Sequence, residues 1–232
     1  MAHKAYFFAA GATQKRTLHS LAVIQHNLFL RKLLQISIII LCLSCSDNSE
    51  KNIGIQPLGQ FDKSLIDTLQ TTIKKVYNFK VSVLKSKEIP KSTFINIKTP
   101  RYRADKILKI LKAEKPDSIN HVLGLISKDI STTKKDKWGN TKKPEKKYED
   151  WGIFGLGYRP GASCVVSSYR YKKNKLKFID RFKKICVHEI GHNLGLKHCP
   201  NEDCVMRDAA ESIKTIDLVK LSLCNECRLK ID

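Results

Sequence analysis

Residues 188–206 read HEIGHNLGLKHCPNEDCVM, and CNEC follows at 224–227. His188 and His192 are four positions apart, so on a helix they share one face and both rings can reach one metal ion. Glu189 stands beside the first ring, within reach of a water on that ion. Gly195 allows the chain to leave the helix through a positive φ. The turn that follows returns His198 as a third nitrogen donor. Three neutral imidazoles and a water make the open tetrahedral site of a catalytic zinc. Histidine is scarce in this chain, with seven in all, and three of the four beyond residue 100 fall in this stretch. Three structural histidines on a core helix would leave that concentration and spacing unexplained.

The cysteines carry a second signal. Cys199 follows the third histidine directly, and Cys204, Cys224 and Cys227 complete two closely spaced pairs. Four thiolates so arranged suit a closed structural zinc site. Two disulfides are the other arrangement open to an exported chain, although the short spacings beside a zinc site favour metal. Cys164 and Cys186 lie outside the pattern and read as small buried apolar residues.

The whole run, H-E-x-x-H-x-x-G-x-x-H-C-x4-C-x-M-x17-C-x-x-C over residues 188–227, resembles the archaemetzincins, peptidase family M54 of the metzincin clan, and every fixed position of the family motif is matched. The resemblance extends over about residues 55–232. It implies an α/β zincin fold, with a mixed twisted sheet, an active-site helix and a C-terminal helical subdomain. It implies two Zn2+: a catalytic one on His188, His192 and His198, and a structural one on Cys199, Cys204, Cys224 and Cys227. Glu189 would then be the general base and acid, and Met206 the Met-turn residue beneath the catalytic zinc. Gly152–Tyr158 would be the edge strand that pairs with an extended peptide or protein substrate, a form of strand addition. Tyr158, Arg159 and Tyr169 are candidate oxyanion donors. The function implied is that of a zinc metallopeptidase. The alternative is a catalytically silent zinc protein that binds peptides or a partner, and the intact Glu189 argues against it.

Outward from the motif, residues 60–232 read as one domain. Apolar spacing from Phe61 to Val76 suits a helix, Phe79–Leu84 and Thr93–Ile97 strands, Asp105–Lys112 a second helix, and His121–Ile126 a third strand. Gly152–Tyr158 and Ala162–Tyr169 read as strands joined at Pro160 and Gly161, and Phe178–Leu196 as the long helix that carries the histidines. Gly155, Gly157 and Gly161 are spaced G-x-G-x-x-x-G with no helix directly after them, which is not a dinucleotide fingerprint.

The chain has 232 residues, 43 Lys and Arg against 22 Asp and Glu, and a net charge of +21. Such a balance invites nucleic acid as a partner. However, the densest run, Lys128–Glu149, interleaves acids with its lysines, and no RNA-binding signature with interleaved aromatics is present. We read the run as a solvated loop and nucleic acid as an unlikely partner. Residues 1–44 hold no acidic residue. Arg31 and Lys32 precede the 11-residue apolar stretch Leu33–Leu43, and Ser44 precedes Cys45. That pattern is a signal segment too short to span a bilayer, with Cys45 placed as the lipidated residue of a bacterial lipoprotein. Residues 1–45 are thus a targeting segment, of which 1–27 look like a spurious upstream extension, and residues 46–59 a Ser/Asp/Asn/Gly/Pro linker. The domain would work outside the cytoplasm, at a membrane surface.

Overall fold

The computed structural model describes residues 51–171, 175–208 and 213–231. The targeting segment with Cys45 lies outside them. In chain order the strands are β1 (Asn52–Leu58), β2 (Lys80–Val83), β3 (Phe94–Asn96), β4 (Pro100–Arg103), β5 (His121–Ile126), β6 (Ile130–Thr132), β7 (Trp151–Ile153), β8 (Gly155–Gly157) and β9 (Ser163–Ser167). The helices are α1 (Lys63–Tyr77), α2 (Ala104–Ala113), α3 (Glu145–Tyr148), α4 (Lys175–Asn193), α5 (Ile213–Leu218) and α6 (Asn225–Arg228).

The main sheet runs β2-β1-β5-β9-β8. Its first four strands are parallel, and β8 closes the edge antiparallel to β9. Parallel strands need cover on both faces, which is why β5 and β9 are near-continuous apolar runs. Alternation divides them between two cores. Leu123, Leu125, Cys164 and Val166 pack under α1 and α4. Val122, Ile126 and Val165 face the other way, onto Ile107, Leu108 and Leu111 of α2. A smaller sheet runs β3-β4-β6-β7, with β4 and β6 parallel and the two outer pairs antiparallel.

α1 begins where the Asp62 carboxylate accepts the Leu65 N–H and ends at Asn78 in the left-handed region (φ 57). Its apolar stripe (Leu65, Ile66, Leu69, Ile73, Val76) is buried. At the end of that stripe Tyr77 is 1% exposed and donates its hydroxyl to the Val187 carbonyl at 2.6 Å, one residue before the first histidine. The first helix therefore braces the active-site helix from behind.

Three expectations need correction. Residues 52–58 are not linker but β1, buried along its whole length between β2 and β5. The polar residues that suggest a linker are satisfied inside: Asn52 Nδ2 donates to the Ser118 carbonyl and Gln56 Nε2 to that of Lys85. Gly54 suits this close packing, since a Cβ there would come to 3.0 Å from Ile119 Cγ2. Second, Gly152–Tyr158 is not one strand. It breaks at Phe154 into β7 of the small sheet and β8 of the main one. Third, the Lys-rich run 128–149 is not all solvated loop, since it contains β6, and Asp129, Ile130 and Ser131 are buried. Asp129 takes Arg170 on both oxygens (2.8 and 2.9 Å) and Arg101 on one (2.8 Å). The guanidinium of Arg170 lies where a side chain on Gly152 would be.

Candidate active site and metal centres

α4 carries His188 and His192 on one face, as their spacing requires, and Glu189 beside them also lines the cleft. The helix then stops in a Schellman arrangement: the Leu196 N–H reaches the Gly191 carbonyl and the Gly195 N–H that of His192, both at 2.9 Å, with Gly195 at φ 93. This left-handed glycine turns the chain so that His198 faces the other two rings. Ring centroids are 4.6 Å apart for His188 and His192, 5.0 Å for His192 and His198, and 5.4 Å for His188 and His198. One nitrogen from each lies within 4.8 Å of the others.

The remaining nitrogens are all engaged. Nδ1 of His188 faces the Val205 carbonyl and Nδ1 of His192 the Leu196 carbonyl, each at 2.8 Å. Nδ1 of His198 is 3.2 Å from Asp208 Oδ2. Such acceptors hold the proton on Nδ1 and leave Nε2 with its lone pair inward. Burial, reinforced by the neighbouring His192, pushes the His188 imidazolium down to about 4, so the ring is neutral, as a ligand must be. Burial also lowers His192. Burial pushes the Glu189 carboxyl up to about 8, and a dication beside it would favour the carboxylate.

Two glycines bring β8 against Glu189. A Cβ on Gly155 would be 2.8 Å from Glu189 Cγ, and one on Gly157 would be 2.8 Å from the Glu189 carbonyl. These are two of the three glycines whose spacing is not a dinucleotide fingerprint, and this close approach is the reason for them. A cleft of about 520 Å³ runs along this junction, lined by β7 and β8, by Glu189 and the three histidines, and by Ile185, Val205, Ile216 and Val219. Met206, fully buried, lies under α4 against Gly191, where a Cβ would come to 2.3 Å from its sulfur. Tyr158, Arg159 and Tyr169 do not line the cleft. Sequence reasoning missed Asp208, Tyr77 and Asn193, because contacts between distant segments leave no spacing pattern.

The four cysteines meet below the site. Cys199 and Cys224 sulfurs are 3.7 Å apart, those of Cys204 and Cys227 3.9 Å, and all four lie within 4.8 Å of one another. Those separations exceed a disulfide bond of about 2.05 Å and match the edge, about 3.8 Å, of a tetrahedron with metal–sulfur bonds of about 2.3 Å. The donor set therefore fits a thiolate-bound metal. Cys164 and Cys186 are fully buried thiols apart from this cluster.

A mixed sheet whose antiparallel edge strand adjoins a helix bearing H-E-x-x-H, with a third imidazole delivered by a turn, defines the class of zinc-dependent metallopeptidases. Comparison with known proteins narrows this. Peptidase family M54 matches residues 52–232. The archaemetzincin of Archaeoglobus fulgidus is 32% identical over 180 residues, covering 77% of this chain and 98% of the relative. That of Haloarcula marismortui is 27% identical over 190 residues, covering 78% and 99%. The crystal structure of the Archaeoglobus fulgidus archaemetzincin complexed with malonate superposes with a TM-score of 0.60 at 31% identity, covering 78% of this chain and 99% of that one. The Methanopyrus kandleri archaemetzincin structure, at 24% identity and a TM-score of 0.63, shares the fold over 81% of this chain and 96% of that one. The chain belongs to peptidase family M54, the archaemetzincins, and is a zinc metallopeptidase.

Proposed function

We propose that the protein cleaves peptide bonds in an extended substrate that lies along the free edge of β8, with Glu189 as general base. The observation that carries this reading is the contact of Glu189 with the two glycines of β8, which sets one carboxylate beside both the three imidazoles and the substrate edge. His188, His192 and His198 would hold the catalytic zinc, which supplies a Lewis acid that acidifies water and polarises a carbonyl. Glu189 accepts the proton of the attacking water on a carboxylate oxygen and delivers it to the leaving amine. The backbone of β8 pairs with the substrate backbone and sets its direction, while Ile185, Val205, Ile216 and Val219 offer an apolar pocket for a side chain. Met206 supports the helix from below. Cys199, Cys204, Cys224 and Cys227 hold a second, structural zinc. We further propose export, with Cys45 lipidated and the domain held at a membrane surface; labelling of the intact chain with palmitate that disappears in Cys45→Ser tests this.

The test of the mechanism is Glu189→Gln. The variant should retain zinc at the parent's stoichiometry and lose turnover by about 10²-fold or more, the scale of a lost general base. Turnover close to that of the parent would remove Glu189 from the chemistry.

A further inference from the structure

Asn193 is the last residue of α4 and follows His192 directly. It is 1% exposed. Its side-chain amide donates twice, to the Tyr158 carbonyl at 2.9 Å and to the Ser163 carbonyl at 2.8 Å. Its main-chain carbonyl, one of those a helix end leaves without an intrahelical partner, accepts the Gly161 N–H at 3.1 Å. Tyr158 and Ser163 are the two ends of the connection between β8 and β9, and Gly161 lies between them. One residue of the histidine-bearing helix thus holds that connection at three points.

The chemistry favours asparagine here. A planar amide offers two N–H donors, enough for two carbonyls at once. Aspartate has the same shape but would turn acceptors onto acceptors. Alanine would leave both carbonyls without this donor. Asn193 Oδ1 accepts no hydrogen bond among the described residues. A buried oxygen left so is costly, and the residue is explained by its donors alone.

The connection matters because β8 is three residues long and, among the described residues, is paired on one side only, with β9. Its height over Glu189 is set by the glycine contacts at Gly155 and Gly157, by its pairing with β9 and by the hold on its far end. There Asn193 ties the connection to the histidine-bearing helix, while His121 Nδ1, 2.8 Å from the Gly161 carbonyl, and the Val122 N–H, donated to the Ala162 carbonyl, tie it to β5. We infer that Asn193 is a positioning residue for catalysis, locking the substrate-binding strand to the histidine-bearing helix so that a peptide paired with β8 presents its scissile carbonyl to Glu189. This rests on the proposed role of β8 and adds the part that keeps strand and helix in register.

The experiment compares the zinc-loaded parent with Asn193→Ser and Asn193→Asp, and runs Glu189→Gln alongside. The probes are a fluorogenic octapeptide drawn from library cleavage and a blocked dipeptide amide too short to pair along β8. Zinc per chain and backbone amide exchange over residues 156–163 are measured on the same samples. A displacement of about 1 Å at a reacting centre costs up to about 10²-fold. Both variants should therefore lose roughly 10- to 100-fold in kcat/KM on the octapeptide and only about threefold or less on the dipeptide. Zinc content should stay at the parent value, and exchange should quicken over 156–163 but not in α4. Equal losses on both substrates, loss of zinc, or an unchanged exchange pattern would overturn the inference. If neither variant folds, the parent decides it: the Gly161 amide should exchange as slowly as the core amides of α4, and fast exchange contradicts the lock. A parent that cleaves neither probe would instead contradict the peptidase reading, and the exchange data would still decide whether Asn193 holds the strand.

Discussion

Asp217 receives both arms of Arg181, each at 2.7 Å, and Lys177 at 3.0 Å. The Arg181 bonds, more than the opposing burial, hold its carboxyl well below the usual carboxylate range. A depressed folded-state pKa stabilises the protein above the unfolded value, about 3.9 for Asp, and that contribution is lost as pH falls below it. We expect Asp217→Asn to cost about 1–3 kcal/mol at neutral pH, the scale of a paired charge-assisted bond. The gap to the parent should close as denaturant midpoints are measured from about pH 4 downward, and a gap independent of pH would show that the pair contributes little. Gly191 is a second residue at which one atom decides the outcome. A methyl group there meets the buried sulfur of Met206 and lies 3.2 Å from the Tyr77 hydroxyl. Gly191→Ala should destabilise by about 1–3 kcal/mol through overpacking, read as a lowered Tm. An unchanged Tm would mean that Met206 has room to move aside.

Among the elements, α4 was the most legible, because a helix that carries ligands needs fixed spacing and a fixed exit. The helix was expected over Phe178–Leu196 and runs over Lys175–Asn193, its last three expected residues forming the turn instead. Gly195 was expected at a positive φ, and it stands at 93°. A Cβ there would meet only Pro160, at 4.0 Å, so Gly195→Ala tests backbone strain without a clash. It should cost about 1–2 kcal/mol and weaken zinc binding, measured by competition with a chelator, because the strain falls between His192 and His198. Unaltered affinity would mean the turn tolerates an L-residue. The strands β1 and β8 were harder to read. In β1 a glycine, a proline and two buried polar residues imitate a linker, and only their long-range partners reveal a strand. In β8 three residues are too few for a periodicity, and its glycines answer to Glu189, on a helix far along the chain. Local pattern carries helices and metal spacings; it does not carry contacts between segments.

At the scale of the molecule, both clusters that could hold a metal lie in the last fifth of the chain, yet the cleft needs the edge strand from the middle and the brace from the first helix. The cysteine cluster joins the segment after His198 to α6, so its loss should be felt globally. Cys224→Ser with Cys227→Ser should lower Tm by about 5 °C or more, since structural zinc binding is folding free energy, and should reduce bound zinc from two per chain to one. A double variant with the parent's Tm would contradict a structural zinc there. The central claim is that the three imidazoles, Glu189 and β8 together form a working peptidase. The most direct measurement is cleavage of a random peptide library by the zinc-loaded protein, with new termini read by mass spectrometry, beside Glu189→Gln. The account predicts cuts by the parent, with one consistent residue preference beside the cut, and none by the variant. An intact library from both, with zinc still bound, would contradict it.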